Sequence, residues 1–279
     1  MAYKKKLNII IFGASGTVGN YILEKFYREK HNLLLFVKDK KKIVTIKKRY
    51  KPQLNQKIFF EQLDVIKKSS IKKTFLKNKK FINKTNILIN TVGEQGEIKN
   101  FFKMDFKKFL RTYEINFFSN IFLFKNLYPL IKNNKNLLIL LFSGGGATNL
   151  RKNFSSYSLS KVALVKLVEI LSVEFSNKNI RINAISPGII NSKMTKIILK
   201  KNKYVSKNEI NKIKEQISSS NKNLEKIYDL INFLYNKKGK NISGKMISSS
   251  WDNVISWSKS KIDKLVKTDL FTLRRNGNI

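Results

Sequence analysis

Tyr157 and Lys161 stand four residues apart in the segment YSLSK, which reads as part of a helix. On a helix this spacing places both side chains on one face, one turn apart. A phenol has a pKa of about 10 and is a poor base at neutral pH. A neighbouring ammonium favours the phenolate and brings the phenol closer to efficient proton transfer. The pair therefore predicts an acid–base device, against the simpler alternative of a surface contact.

A glycine-rich loop, GASGTVG, lies between the first predicted strand and the first predicted helix. Glycines three residues apart permit a tight turn and let the backbone approach a pyrophosphate, while the following helix N-terminus offers N–H groups to the phosphates. The alternative is a tight turn without a ligand. The predicted cofactor site takes from this loop Gly13, Ser15, Gly16, Thr17, Val18 and Gly19.

Alternating strands and helices must position these two motifs. Short apolar runs predict strands at 7–13, 33–37, 57–65, 85–93, 136–146, 180–188 and 244–250. Helical spacing predicts helices at 17–30, 40–50, 69–78, 105–132, 154–176 and 224–236. This order predicts an α/β fold, a single Rossmann-like doubly wound parallel sheet with helices on both faces. Residues 1–255 are expected to form this domain and 256–279 a polar, basic tail.

With these elements placed, the chain resembles the short-chain dehydrogenase/reductase family over about residues 7–250. The resemblance rests on motifs in the family's order: the glycine loop, LDV at 63–65, NTVG at 90–93, Asn116, Ser143, YxxxK at 157–161, PG at 187–188 and Ser192. It implies a catalytic set of Asn116, Ser143, Tyr157 and Lys161. It also implies cofactor contacts from Asp64, Val65, Asn90, Gly93, Tyr157, Lys161, Pro187, Gly188, Ile190 and Ser192.

The resemblance implies an NAD(P)-dependent oxidoreductase that interconverts a carbonyl and an alcohol of a small molecule. Tyr157 is expected to act as general acid or base, and Lys161 to lower its pKa and bind the ribose. Ser143 is expected to hydrogen-bond the substrate oxygen, and Asn116 to support Lys161 through a water. We expect the substrate pocket to be lined by 144–154 and 189–222, with 191–222 as a lid that orders on substrate binding. A plain surface insertion is the alternative for that segment.

Two other functions remain open from the sequence. The loop reads GxxGxxG rather than the GxxxGxG of most short members, and this spacing is commoner in the branch that acts on nucleotide sugars. A nucleotide-sugar epimerase or reductase of surface-polysaccharide synthesis is therefore an alternative. A cofactor-sensing or nucleic-acid-binding regulator is a second one, suggested by the charge. The presence of Ser143, Tyr157 and Lys161 together favours an enzyme.

The end of the second predicted strand, LLLFVKDKKK, bears on the choice of cofactor. An acidic residue at that place binds the ribose hydroxyls of NAD and repels a 2′-phosphate. Here the apolar run ends at Val37 and is followed by Lys38, whose ammonium can pair with a 2′-phosphate. Asp39 would reverse the preference if the turn were shifted by one residue. We therefore expect NADP(H) to be favoured over NAD(H), with modest selectivity because lysine lacks the fork of arginine.

Composition excludes several classes. The chain of 279 residues carries a net charge of +39, yet only 7 of its 57 basic residues are arginine. Lysine, asparagine and isoleucine all have A/T-rich codons, so base composition explains the charge, and we expect no specific nucleic-acid partner. With no cysteine and a single histidine, His31, placed by expectation at a surface helix end, no metal site is predicted.

The remaining expectations concern location and assembly. No apolar run has the length of a membrane span, and the N-terminus lacks the pattern of a signal peptide, which predicts a cytoplasmic protein without a membrane partner. The apolar run INFFSNIFLF at 115–124 is more than one buried helix stripe needs. A homodimer or homotetramer formed through helices 105–132 and 154–176 is expected.

Overall fold

A seven-stranded parallel sheet forms the centre of the molecule. The structure is a computed structural model that describes residues 5–200 and 202–275. The strands are β1 (Asn8–Phe12), β2 (Asn32–Val37), β3 (Ile58–Gln62), β4 (Ile87–Asn90), β5 (Leu137–Phe142), β6 (Ile180–Ser186) and β7 (Met246–Ser248). Their order is β3-β2-β1-β4-β5-β6-β7, with every neighbouring pair parallel. The predicted doubly wound fold is confirmed.

Helices cover both faces of the sheet. They are α1 (Thr17–Arg28), α2 (Lys40–Arg49), α3 (Lys68–Lys77), α4 (Lys79–Ile82), α5 (Phe106–Tyr113), α6 (Ser119–Ile131), α7 (Ser155–Glu174), α8 (Lys193–Lys200), α9 (Lys207–Ile217), α10 (Ser220–Tyr235) and α11 (Lys259–Lys267). Successive strand residues point to opposite layers: Ile9 and Ile11 pack under α1, α2, α10 and α11, whereas Ile10 and Phe12 pack under α3, α6 and α7. Burial of both faces explains why these strands are continuous apolar runs.

The strand order reverses between β1 and β4. The chain runs from β1 outward through β2 to β3, then returns to place β4 on the other side of β1. Ligands of open α/β sheets bind in the crevice at such a switch point, outside the carboxyl ends of the strands. The crevice brings the loop that starts at Gly13 next to the turn at 90–93, as the motifs require.

The long helix predicted at 105–132 is interrupted. A π-helical turn, Glu114–Phe118, separates α5 from α6 and contains Asn116. The wider turn shifts the side chains that follow relative to a regular helix, a device often found at functional sites. The hydrophobic spacing does not reveal this interruption, because both helices present apolar residues on either side of it.

His31 is not at the surface, so that expectation is wrong. It follows α1 as predicted, but it is only 3% exposed. Its Nδ1 accepts a hydrogen bond from the Leu7 backbone N–H at 3.2 Å, and Nε2 lies 3.2 Å from the Glu29 carboxylate. The ring therefore joins the end of α1 to the start of the sheet.

The segment after residue 256, predicted as a polar tail, packs on the domain as far as it is described. Trp257, Ile262 and Leu265 are buried in the same layer as α1 and α10. Beyond α11, the Phe271 carbonyl accepts a hydrogen bond from the Met246 N–H of β7 at 2.8 Å. Only a few apolar residues anchor this segment. They stand among many lysines, so the composition of the segment did not indicate that it packs on the domain. Within the described ranges, no helix is long and apolar enough to cross a membrane.

Candidate active site

A cavity of about 730 Å³ opens at the carboxyl edge of the sheet, between the strand ends and helices α8 and α9. Much of its wall comes from 144–151 and 189–216, which lie within the two segments expected to line the substrate pocket. The predicted site residues that line it are Val18, Gly93, Ser143, Tyr157, Lys161, Pro187, Gly188, Ile190 and Ser192. The structure therefore brings Tyr157, Lys161 and Val18 of α1 to one cavity.

Ser143, Tyr157 and Lys161 are positioned by β5 and α7. Ser143 directly follows β5, and its backbone N–H donates to the Ile185 carbonyl at 2.8 Å. Its Oγ is buried and has no hydrogen-bond partner in the part of the chain that the structure describes. Tyr157 and Lys161 lie in the first two turns of α7, with Lys161 Nζ 5.7 Å from the centre of the Tyr157 ring. This arrangement places the Ser143 hydroxyl, Tyr157 and Lys161 at the wall of one cavity.

Gly144 makes room for the phenol. A Cβ at this position would overlap the Tyr157 hydroxyl oxygen. The glycines after β5, predicted only as a flexible turn, are thus needed for space as well. Without a side chain at Gly144, the Tyr157 hydroxyl can sit beside the end of β5, next to Ser143.

Burial dominates the protonation of both α7 residues. It raises the pKa of the Tyr157 phenol, while the charge of Arg151 acts in the opposite direction. Burial also lowers the pKa of Lys161 to about 8. The raised Tyr157 pKa is opposite to the lowering expected from the sequence. The reason is that burial outweighs the charge of Arg151, while the Lys161 ammonium donates to the Phe142 carbonyl at 2.8 Å.

Asn116 supports the floor of the site without lining the cavity. Its Oδ1 accepts from the Glu94 N–H at 2.8 Å, and its Nδ2 donates to the Glu94 carbonyl and to Ser160 Oγ, both at 3.0 Å. Asn116 Oδ1 and Lys161 Nζ flank Gly93, each 3.3 Å from where a Cβ of that glycine would be. The side chain therefore fixes the turn after β4 close to the lysine.

The glycine loop fits the pyrophosphate of a dinucleotide. Gly13 has a φ of +77°, which favours glycine, and a Cβ on Gly19 would overlap the Gly13 carbonyl. Gly16 is the N-cap of α1, where no side chain caps the helix and no acidic residue stands in the first turn. The N–H groups of this turn and its positive end are therefore open to phosphate oxygens, with Ser15 and Thr17 alongside.

The remaining predicted cofactor residues lie outside the cavity lining. Lys38 and Asp64 form an ion pair of 2.9 Å with each other. Val65 is buried in the core. Asn90 shapes its own turn, since Nδ2 donates to Asn120 Oδ1 at 2.8 Å and Oδ1 accepts from the Val92 N–H. Asp39 caps α2 by accepting from the Lys41 N–H at 2.8 Å, so it lies beyond the strand end as expected.

Three cavity residues, Thr91, Gln95 and Trp251, lie outside the segments and site residues predicted from the sequence. Arg151 and Glu209 lie within the predicted lining segments, but the sequence did not single them out. Thr91 Oγ1 donates to the Phe12 carbonyl at 2.9 Å and ties the turn after β4 to the end of β1. The spacing Ser206-x-x-Glu209 is a capping-box pattern that would have located the start of α9. Gln95 carries no signal in a single sequence.

Comparisons with known proteins bear on the family of the chain and on its fold. Residues 7–203 match the family model described as short chain dehydrogenase. The 7alpha-hydroxysteroid dehydrogenase of Escherichia coli strain K12 is 36% identical over 109 residues, which is 39% of this chain and 42% of that protein. The chain thus spans well under two thirds of the length of the first curated relatives it matches.

Two solved structures show the same fold. A short chain dehydrogenase/reductase from Saccharomyces cerevisiae aligns with a TM-score of 0.77 and 18% identity, covering 90% of this chain and 98% of that one. A short chain dehydrogenase from Shigella flexneri, complexed with NADP, aligns with a TM-score of 0.75 and 15% identity, covering 90% and 100%. The chain belongs to the short-chain dehydrogenase/reductase family.

The buried ammonium of Lys161 makes stability depend on pH. The folded pKa of about 8 lies below the usual value of 10.5. From about pH 8 to pH 10.5 the unfolded chain holds a proton that the folded chain has released, so the free energy of unfolding contributed by this group rises with pH. Between pH 7.5 and pH 9.5, we expect the free energy of unfolding of wild type to rise relative to that of Lys161→Met by on the order of 2 kcal/mol.

Urea unfolding of both proteins at the two pH values, without added cofactor, measures this difference. Using the difference between the two proteins removes the contribution of the other lysines and tyrosines. A difference that stays constant with pH would show that Lys161 is not desolvated in the fold.

Proposed function

We propose that the protein is an NAD(P)-dependent oxidoreductase that interconverts a carbonyl and an alcohol. The observation that carries this proposal is the shared cavity of Ser143, Tyr157 and Lys161, which opens beside the uncapped N-terminus of α1. An acid, an unpartnered hydroxyl and a phosphate-binding turn at one edge of the sheet match the needs of hydride transfer to a polarised carbonyl.

In this proposal, Tyr157 and Ser143 have different roles at the carbonyl oxygen of the substrate. When bound, a nicotinamide cofactor supplies hydride to the carbonyl carbon or accepts it from the alcohol. Tyr157, kept protonated by burial, donates its proton to the carbonyl oxygen in the reductive direction and takes it back in the oxidative one. Ser143 Oγ hydrogen-bonds the same oxygen and orients it toward the phenol.

Lys161 and Asn116 act behind the phenol. With a pKa of about 8, the Lys161 ammonium is mostly protonated at neutral pH and suits the ribose hydroxyls of the cofactor. Its charge also favours the Tyr157 phenolate that forms when the proton leaves. Asn116 holds the turn next to this lysine, and in our proposal it carries a water that connects Lys161 with solvent.

The assignment of Tyr157 is tested by Tyr157→Phe, which removes the transferable proton and keeps the ring. Loss of general acid catalysis lowers turnover by about 10²–10⁴-fold. Cofactor affinity is expected to stay close to that of wild type. Steady-state rates and cofactor titrations measure both quantities, with Tyr27→Phe as the matched control because its hydroxyl bonds the Lys51 carbonyl far from the cavity. Turnover above half that of wild type, with chemistry rate-limiting, would refute the assignment.

We also propose that NADP(H) is favoured over NAD(H), through Lys38. β2 ends at Val37, and the carboxylate of Asp39 is engaged in capping α2. Lys38 is 60% exposed and its ammonium pairs with Asp64. A 2′-phosphate would compete with this carboxylate for an exposed ammonium, so the preference should be small.

Two substitutions with opposite effects test this role. Lys38→Ala is expected to reduce the ratio of NADPH to NADH affinity by about fivefold or less. Asp64→Asn is expected to raise the same ratio, because it frees the ammonium; loss of an adenine contact would affect both cofactors equally. Calorimetric titration of both cofactors gives the ratio, and the exposed Lys40→Ala serves as control. A wild type that binds NADH more tightly, or a ratio that neither variant moves, would contradict the proposal.

A homodimer or homotetramer is proposed on the exposed apolar side chains of α5 and α7. Phe106 is 70% exposed, and Leu110 and Val173 also face outward. Exposed apolar surface of this extent on two neighbouring helices favours association. We expect wild type to sediment as a dimer or tetramer and Phe106→Asp to shift it toward monomer, with Val44→Asp on α2 as the matched exposed control. A monomeric wild type at micromolar concentration would overturn this assembly.

A further inference from the structure

Arg151 presents a guanidinium to the cavity beside the proposed acid. It lies in the loop between β5 and α7, and its Cζ is 3.8 Å from the centre of the Phe154 ring and 5.8 Å from that of Tyr157. Stacking on Phe154 orients the planar group, so little freedom is lost when an anion binds it. The chain has few arginines among its many lysines, and this one is mostly shielded from solvent.

A carboxylate already occupies this guanidinium. Glu209, in the first turn of α9, accepts from Arg151 Nε at 2.9 Å and also from Nη2. Both hydrogen bonds go to the same carboxylate oxygen, Oε1. The guanidinium of Arg151 is therefore not paired with both oxygens of Glu209. The geometry is weaker than the two parallel bonds that arginine and a carboxylate form at their best.

The carboxylate of Glu209 has a second possible hydrogen-bond partner. It is the fourth residue of the pattern Ser206-x-x-Glu209, and Ser206 Oγ accepts a hydrogen bond from the Glu209 N–H at 3.2 Å. In a complete capping box the glutamate reaches back to the N–H of the N-cap residue. The Glu209 side chain can therefore leave Arg151 and remain hydrogen-bonded within α9.

We propose that Arg151 is the substrate-recognition residue for a carboxylate, and that Glu209 holds its place until an oxo acid or hydroxy acid binds. This inference rests on the proposed function and names the class of its substrate. The other charged residues of the lining, Lys161 and Lys212, are basic. Once Glu209 turns away from Arg151, a cationic guanidinium is left unpaired in this part of the cavity, and an anionic substrate is favoured over its neutral counterpart.

The alternative role is a latch. Arg151 belongs to the sheet domain and Glu209 to the 191–222 segment, so their ion pair also holds that segment against the cavity. A latch would affect charged and neutral substrates alike, whereas a recognition residue discriminates between them. Pairs of substrates that share one carbonyl or alcohol but differ in charge separate the two roles.

The test compares a panel of oxo acids and hydroxy acids with their methyl esters, using NADPH or NADP⁺ and wild type, Arg151→Gln, Arg151→Lys and Glu209→Gln. We expect kcat/KM of wild type to favour the acid, and Arg151→Gln to reduce this acid-to-ester ratio about tenfold or more, equivalent to about 1.4 kcal/mol. Arg151→Lys should retain part of the ratio. Glu209→Gln should raise it, because the internal competitor is removed. Arg28→Gln, which breaks a similar Arg–Glu pair on α1 at 72% exposure, is the control.

Calorimetric binding of the same acids to the protein with NADPH provides a readout independent of turnover. Esters used as well as acids by wild type, or equal losses for both in Arg151→Gln, would overturn the inference while leaving the proposed function intact. Arg151-dependent binding of acids, without hydride transfer to any oxo acid or from any hydroxy acid of the panel, would support the inference and count against the proposed function. Absence of Arg151-dependent binding and of an acid preference would also overturn the inference.

Discussion

The ammonium of Lys161 is the constraint around which the site is arranged. A charge buried from water is costly unless a hydrogen bond compensates, and here the Phe142 carbonyl at the end of β5 provides one. That bond ties the second turn of α7 to the last residue of the strand. It sets the distance between the helix and the sheet edge, and with it the place of the Tyr157 phenol one turn earlier. The lowered lysine pKa and the raised tyrosine pKa are both consequences of this enclosure.

Tyr157 and Lys161 can be enclosed only because glycines occupy the turns that face them. Gly144 leaves the volume that the Tyr157 hydroxyl occupies, and Gly93 leaves the volume between Lys161 and Asn116. Gly13 and Gly19 do the same where α1 meets β1, with the Thr91 hydroxyl filling the remaining gap. The glycines along the carboxyl edge therefore serve one steric purpose, close approach, on both the cofactor side and the substrate side.

The layers of the fold could be predicted because a parallel strand that is buried on both faces consists of consecutive apolar residues. The closeness of Tyr157 and Lys161 could be predicted because both lie on one helix, where a spacing of four places two side chains on the same face. Interactions between elements were not predictable in this way. The ion pair of Lys38 and Asp64 joins two residues assigned separately to the cofactor, and the ring of the buried His31 contacts Leu7, the residue before β1. The π-helical turn at Asn116 was hidden because its flanking helices keep their apolar faces.

The 191–222 segment illustrates the same limit and bears on how substrate enters. Its weak periodicity resolves into α8 and α9, whose isoleucines form a small apolar cluster with Phe154 and Ile98, separate from the two layers that cover the sheet. Polar links to the sheet domain include the Arg151–Glu209 pair and the bond from Asn153 Nδ2 to the Tyr204 carbonyl at 2.7 Å. Because this cluster shares Phe154 and Ile98 with the sheet domain, an opening of the segment would expose those two side chains but not the main core, since local openings follow such cooperative boundaries. The segment is therefore held by this apolar contact and by a few polar contacts, and one of these, the Arg151–Glu209 pair, is the contact that a substrate carboxylate would replace in our proposal.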